Sequence, residues 1–322
     1  MKKTYAFMLA LILMMTTLLS GVYFAEEKRI SIVTTIFPIY DWVREIVGDG
    51  NAEVTMLFDS GVDLHSYQTT AQDIVKINTS DVFIYVGGES DEWVEEVLAT
   101  ATNQNLVSIN LVEAMGEAIK EEEVVEGMES EEEEEEESSE SEEIEYDEHV
   151  WLSLRNAEKL VQVIASTLAE ADPENGDSYQ ANATAYIEKL AALDVKYAQV
   201  MEDAAYSTIL FGDRFPFRYL VDDYGLNYYA AFTGCSAESE ASFKTIVFLA
   251  QKVDELNLPA VLTIENPQFR IAETIVENTQ AKNQKVLSLD SMQGTTATDV
   301  SDGISYLSVM ESNLETLQAA LN

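Results

Sequence analysis

From Arg29 onward, short β-branched apolar runs alternate with stretches whose apolar residues recur at helical spacing. Ile30-Ser31-Ile32-Val33-Thr34-Thr35 reads as a buried strand, and Phe37-Pro38 opens a helix that continues from Tyr40 to Val47 and closes at Gly48-Asp49-Gly50. Ala52 to Phe58 predicts a second strand and Ala71 to Asn78 a helix. Val82 to Val86 predicts a third strand, stopped by Gly87-Gly88. Trp93 to Ala99 reads as a helix and Leu106 to Ile109 as a short fourth strand. Strands alternating with helices predict a parallel sheet covered on both faces.

The period then changes. Leu160, Val163, Ile164, Thr167 and Leu168 set a helix over Leu154 to Ala171, broken by Asp172-Pro173. Residues 174–203 run helically through Tyr179, Ala183, Tyr186, Ile187, Leu190, Leu193, Tyr197 and Met201. At 1.5 Å per residue such a helix spans about 45 Å, enough to connect two lobes. Alternation resumes with strands at Thr208 to Phe211, Asn227 to Phe232, Ala260 to Ile264 and Lys285 to Leu289. Helices fall between them at Tyr219 to Tyr224, Phe243 to Leu256 and Phe269 to Thr279, and a final helix is expected over Gly303 to Leu321. The expected fold is α/β, with two parallel-sheet lobes joined by one long rigid helix.

Composition adds three facts. The 322 residues are 47% hydrophobic, which supports two cores. The net charge of −41 is concentrated: residues 121–148 hold 17 Glu and one Asp with no Lys or Arg, 18 of the 59 acidic residues. That field repels nucleic acid and attracts cations. Having little to bury, residues 120–148 are expected to be a disordered acidic insertion, either a solvated spacer or a weak collector of hard cations. The N-terminus has Lys2 and Lys3 before an apolar run from Ala6 to Leu19, with Ala25 as a cleavage position, so residues 1–25 read as a signal peptide. The run is short for a span, which needs about 20 residues, and an exported, water-soluble mature chain is expected. Leu18-Leu19-Ser20-Gly21 would lead into a lipid-modified cysteine, but residue 22 is Val22. The single cysteine, Cys235, has no partner for an internal disulfide. It reads first as a small buried residue and second as a thiolate ligand.

Only two histidines occur, each in a punctuated segment: Ser60-Gly61-Val62-Asp63-Leu64-His65-Ser66-Tyr67 and Asp147-Glu148-His149-Val150-Trp151-Leu152. Imidazole is the commonest protein ligand for transition metals. Trp42, Trp93 and Trp151 are expected to pack cores. Ser236, Glu238 and Glu240 are polar groups of the loop before the helix that starts near Ala241.

Four ordered blocks carry a resemblance: Thr34-Thr35-Ile36-Phe37-Pro38-Ile39-Tyr40; Gly61 to Tyr67 with Thr70-Ala71-Gln72-Asp73-Ile74; His149-Val150-Trp151-Leu152; and Asp172-Pro173 with Tyr179, Asn182-Ala183 and Tyr186. Together they resemble the metal-specific solute-binding proteins of bacterial ABC transporters, solute-binding protein family 9, which serve zinc and manganese uptake. The resemblance implies a metal site in the interlobe cleft, little hinge closure, Zn2+ or Mn2+ as the transported ligand, and a membrane permease as partner. A monomer at the cell surface or in the periplasm is expected. The implied divisions are residues 26–119 and 149–173 for the N-terminal lobe, 174–205 for the linking helix and 206–322 for the C-terminal lobe.

The resemblance also implies ligands. His65 and His149 fall on the first two positions. Spacing back from Tyr224-Gly225-Leu226 places the third on Arg214, which stays protonated, so the adjacent Asp213 is the admissible donor. The fourth is Asp290, with Glu265 as the alternative. Members directed to zinc often carry a histidine-rich insertion where this chain has glutamates. A secreted metal-dependent hydrolase is a competing class, but no His-Glu-x-x-His pair or Gly-x-Ser-x-Gly elbow is present. A surface adhesin is a third.

Overall fold

The computed structural model describes residues 29–48, 52–129, 145–236, 240–265 and 269–322. The expected signal peptide, the middle of the acidic insertion (130–144) and Glu238 lie outside them.

Two four-stranded parallel sheets form the lobes. In the first, β1 (Ile30–Thr34), β2 (Ala52–Met56), β3 (Val82–Tyr85) and β4 (Val107–Asn110) lie in the order β2-β1-β3-β4. The second repeats it with β5 (Thr208–Phe215), β6 (Asn227–Thr233), β7 (Ala260–Thr263) and β8 (Lys285–Ser288) in the order β6-β5-β7-β8. Each sheet has its first strand inside, with chain direction reversing sides between the second and third strands. Open α/β sheets present ligand-binding loops at the carboxyl ends of the strands beside such a reversal.

The helix Gly176–Asp203 joins the lobes. Its buried residues, Tyr179, Ala183, Tyr186, Leu190, Leu193 and Tyr197, follow each other at steps of three and four, one continuous stripe on a 3.6-residue helix. The stripe touches both lobes. Asn182 Nδ2 donates to Ile46 O at 2.9 Å in the first, and the Tyr197 hydroxyl donates to Met310 O at 2.6 Å in the second.

The lobes also meet directly. Trp151 Nε1 donates to Ser291 O at 2.9 Å, and the Tyr306 hydroxyl donates to Trp151 O at 2.7 Å. Tyr306 N–H donates to Asp41 Oδ2, and its ring packs edge-on against Trp42 with centroids 5.2 Å apart. Ala297 N–H donates to Asp59 O at 2.8 Å, tying the loop after β2 to the loop after β8. Trp42 and Trp151 are core residues, as expected.

Local differences have local causes. β5 continues to Phe215 rather than ending at Phe211, because a register irregularity between Phe211 and Arg214 lets it resume pairing with β6. The final helix begins at Tyr306, after a separate helix Ala297–Ser301, since Gly303 at φ +97° breaks the run. A short helix, Leu111–Met115, has too few turns to show periodicity.

The ends of the acidic stretch pack rather than extend into solvent. Glu121 and Tyr146 form an antiparallel bridge, and Glu129 N–H donates to Ala231 O beside β6. Met128 is buried, and the Glu129 carboxylate accepts from Ser242 N–H and the Thr245 hydroxyl at the start of the helix Phe243–Leu256. Val125 and Met128 supply the apolar anchorage that glutamates lack.

Replacing Tyr306 by Phe keeps the ring against Trp42 and orphans the buried Trp151 carbonyl. Y306F is expected to lose about 1–2 kcal/mol of unfolding free energy with an unchanged denaturant slope, measured by urea unfolding.

Candidate metal centre

His65 stands in the 3-10 turn Leu64–Ser66 after β2, started by Asp63, whose Oδ1 accepts His65 N–H at 3.0 Å. His149 precedes the 3-10 turn Val150–Leu152, and its own N–H donates to Asp147 Oδ1 at 2.8 Å. Separated by 84 positions, the two Nε2 atoms lie 3.2 Å apart. His149 is fully buried and His65 mostly so.

Each ring is held from behind. His149 Nδ1 lies 3.1 Å from Asp147 Oδ1, and an ionised carboxylate only accepts. The proton therefore sits on Nδ1 and the Nε2 lone pair is bare. His65 Nδ1 lies 2.7 Å from Ser90 Oγ in the turn after β3. A hydroxyl serves either tautomer, so His65 Nε2 can donate to His149 or offer a lone pair to a cation. Ser90 is placed by its N–H donating to Glu148 Oε1 at 2.9 Å. Gly88, at φ +78°, permits that approach: a Cβ there would stand 2.4 Å from Glu148 Oε1.

From the second lobe comes Cys235, two residues beyond β6. Its Sγ and the ring nitrogens of His65 and His149 all lie within 4.8 Å of one another, the one such donor group among the described residues. Gly234 makes the approach possible, since a Cβ there would meet His149 Cε1 and Phe215 O at 3.0 Å. Cys235 N–H donates to Glu122 Oε1 at 3.3 Å. Sequence reasoning ranked Cys235 as a small buried residue because no second cysteine supports it; its place beside both histidines is set by long-range topology.

The carboxylates are elsewhere. Asp213 Oδ2 accepts from the Thr263 hydroxyl at 2.6 Å and from Ile264 N–H, so it faces β7. Successive side chains on a strand point to opposite faces, and here Arg214 takes the cleft side. The Arg214 guanidinium pairs with Asp63 and approaches Ser236 O. Asp290 Oδ1 accepts Met292 N–H at 2.7 Å. Glu265 accepts from Ser291 N–H, the Ser291 hydroxyl and Gln293 N–H, shaping the loop after β8. None of the three joins the histidine cluster.

With this geometry in place, comparison with known proteins is informative. A family model described as ZnuA, zinc-uptake complex component A, periplasmic, matches residues 32–320. The chain belongs to this family. It is 31% identical over 292 residues to the zinc-binding lipoprotein AdcA of Streptococcus pneumoniae serotype 4, covering 91% of the chain and 56% of that protein. It is 30% identical over 297 residues to the high-affinity zinc uptake system protein ZnuA of Bacillus subtilis, covering 92% of the chain and 89% of the relative. The chain thus spans little more than half the length of the AdcA relatives. Among solved structures, the Zn(II)-bound ZnuA-like domain of Streptococcus pneumoniae AdcA superposes with a TM-score of 0.71 at 29% identity, over 91% of this chain and 99% of that one. The laminin-binding adhesin of Streptococcus agalactiae, at 22% identity and a TM-score of 0.74, shares the fold.

In this member of the zinc-uptake component A family, charge around the site is strongly tuned. Burial and then the neighbouring His149 push the His65 imidazole down to about 3. Burial pushes the Cys235 thiol well above its ordinary value, reinforced by Glu148, Glu122 and Asp147. Burial likewise raises Glu122 and Glu148. Burial would raise Asp63 too, but the Arg214 guanidinium holds it below the usual carboxylate range. A shallow depression lined by Glu122, Glu123, Asp147 and Arg218 among others adjoins the centre.

The acid response of the ion-free protein follows. In the unfolded chain His65 takes up a proton near 6.5, while the folded chain resists until about 3. Between those values the unfolded state holds the extra proton, and stability is lost as pH is lowered, by at most about 1.4 kcal/mol per unit from this group. Asp91, raised by burial to about 7, acts oppositely: its contribution is full below its ordinary 3.8 and is lost as pH rises through about 7. Substituting His65→Asn removes only the first effect. With chelator present, the variant is expected to gain unfolding free energy relative to the parent between pH 6.5 and 4; a difference independent of pH contradicts the assignment.

Proposed function

We propose that this chain captures a divalent transition metal outside the cytoplasm, zinc first and manganese second, and delivers it to the membrane permease of an ABC transporter. The carrying observation is the convergence of two imidazole Nε2 atoms at 3.2 Å. Two nitrogens bound to one tetrahedral zinc at 2.0–2.1 Å are about 3.3 Å apart, so the pair is set at the edge of a coordination tetrahedron before any ion arrives. The support at each Nδ1 fixes ring orientation, as Ser90 and Asp147 do here.

Zinc ranks first because imidazole nitrogen suits it and a given site binds it more tightly than Mn2+. The family's uptake role and the zinc-binding names of the relatives support the same order. The family's place in a zinc-uptake complex supports a membrane permease as the partner. His65 and His149 are the proposed ligands. Asp213 and Glu265 accept hydrogen bonds at both carboxylate oxygens, shaping β7 and the loop after β8, and Asp290 accepts Met292 N–H through Oδ1.

Elemental analysis of protein purified without added metal is expected to show zinc, and Zn2+ to outcompete Mn2+ in titration. An ion binding only the folded state stabilises it by RT ln(1 + [L]/Kd), about 2.7 kcal/mol at a hundredfold excess over Kd. The H65A/H149A double variant is expected to lose both the titration signal and the zinc-dependent rise in Tm. Undiminished zinc binding by that variant overturns the proposal.

A further inference from the structure

We propose that Cys235 is the third metal ligand, binding as a thiolate and making the centre a His2Cys site selective for borderline and soft cations over Mn2+. This deepens the function proposed above and rests on it. The sulfur is not an isolated thiol. It shares a small volume with two imidazoles, and Sγ and both ring nitrogens lie within 4.8 Å of one another. A tetrahedral ion would contract that set to edges of about 3.3–3.6 Å.

Three independent features point the same way. First, topology pairs the lobes: His65 follows β2 and Cys235 follows β6, the corresponding outer strands of the two sheets. Each lobe offers a donor from the same kind of loop. Secondly, Gly234 is placed for close approach, with no room for a Cβ between His149 Cε1 and Phe215 O. The turn is pressed onto the imidazole, carrying the next residue's side chain to the ion's position. Thirdly, the position where spacing sets another ligand holds Arg214, whose guanidinium is committed to Asp63. A cation bound beside that guanidinium by two neutral imidazoles alone gains no bonded negative charge. Thiolate ligation supplies it: the S–H bond breaks, the proton leaves to solvent, and the sulfur's lone pair forms the metal–sulfur bond.

Selectivity follows from ligand softness. Thiolate strengthens binding of Zn2+ and Co2+ far more than of Mn2+, which prefers oxygen. Cys235 thereby separates zinc from manganese.

The test uses the full chain loaded with Co2+, whose spectrum reports its ligands. A thiolate-to-cobalt charge-transfer band in the near ultraviolet is expected in the parent protein, absent in C235S, while d–d bands persist through the histidines. Zinc affinity of C235S is expected to fall at least about tenfold, a loss of ~1.4 kcal/mol, with Mn2+ affinity little changed. A second readout needs no variant: bound zinc is expected to protect Cys235 from alkylation, and chelation to restore it. A cobalt complex without the charge-transfer band, or a thiol alkylated equally with and without zinc, overturns the thiolate assignment. If H65A/H149A still fails to bind metal in that case, the proposed function stands and only the sulfur is excluded.

Discussion

Everything at this cleft depends on two parallel sheets presenting their carboxyl edges to one another. Parallel strands place every crossover loop of one kind at one end, so the loops after β2, β3, β5 and β6 converge. His65, Ser90, Arg214 and Cys235 occupy those loops or strand ends. His149 is brought in by the connection between the first sheet and the helix Leu154–Ala171. The helix Gly176–Asp203 and the Trp151–Tyr306–Trp42 seam then hold the distance between the edges. A centre set to about a bond length needs supports of that stiffness.

Much of this was legible in the chain. The strand-helix alternation, the helices Trp93–Ala99, Leu154–Ala171 and Phe243–Leu256, and the long tyrosine-striped helix all follow from apolar period alone. The two histidines were visible through scarcity and punctuation. Their neighbours were less so: Ser90 carries no local signal, and Cys235 reads as a thiolate ligand only second. Ser90 and Cys235 are separated from them by tens of residues, and nothing in a local window distinguishes a glycine that lets a turn touch His149 from one that merely bends a loop. Asp213 lies outside the histidine cluster for a related reason. A one-residue difference in a strand reverses the face, and the irregularity in β5 decides which of Asp213 and Arg214 looks into the cleft.

Charge is arranged in shells of different purpose. Around the imidazoles are groups whose charged forms burial disfavours: His65 is pushed down, and Cys235, Glu122 and Glu148 are pushed up, in each case first by burial. An arriving dication reverses the preference of every one of the acids, since each gains from ionising beside it. The ends of the acidic stretch sit just outside, with Glu122 bonded to the Cys235 turn and Glu129 to the Phe243–Leu256 helix.

The same arrangement bears on release. Rigid opening of the cleft would break the buried bonds from Trp151 to Ser291 and from Tyr306 to Trp151 and Asp41, and would tear the tyrosine stripe from one lobe. Moving the Gly234–Cys235 turn disturbs contacts of a weaker class: Cys235 N–H to Glu122 at 3.3 Å, Ser236 N–H to Thr233 O at 3.4 Å, and Arg214 to Ser236 O at 3.5 Å. Hydrogen bonds near the long limit contribute less than those near 2.9 Å. The second-lobe donor is held by these longer bonds together with a bond to the Glu148 backbone, while both imidazoles are fixed from behind. In the proposed His2Cys centre, displacing that turn removes one donor of three and leaves both imidazoles in place.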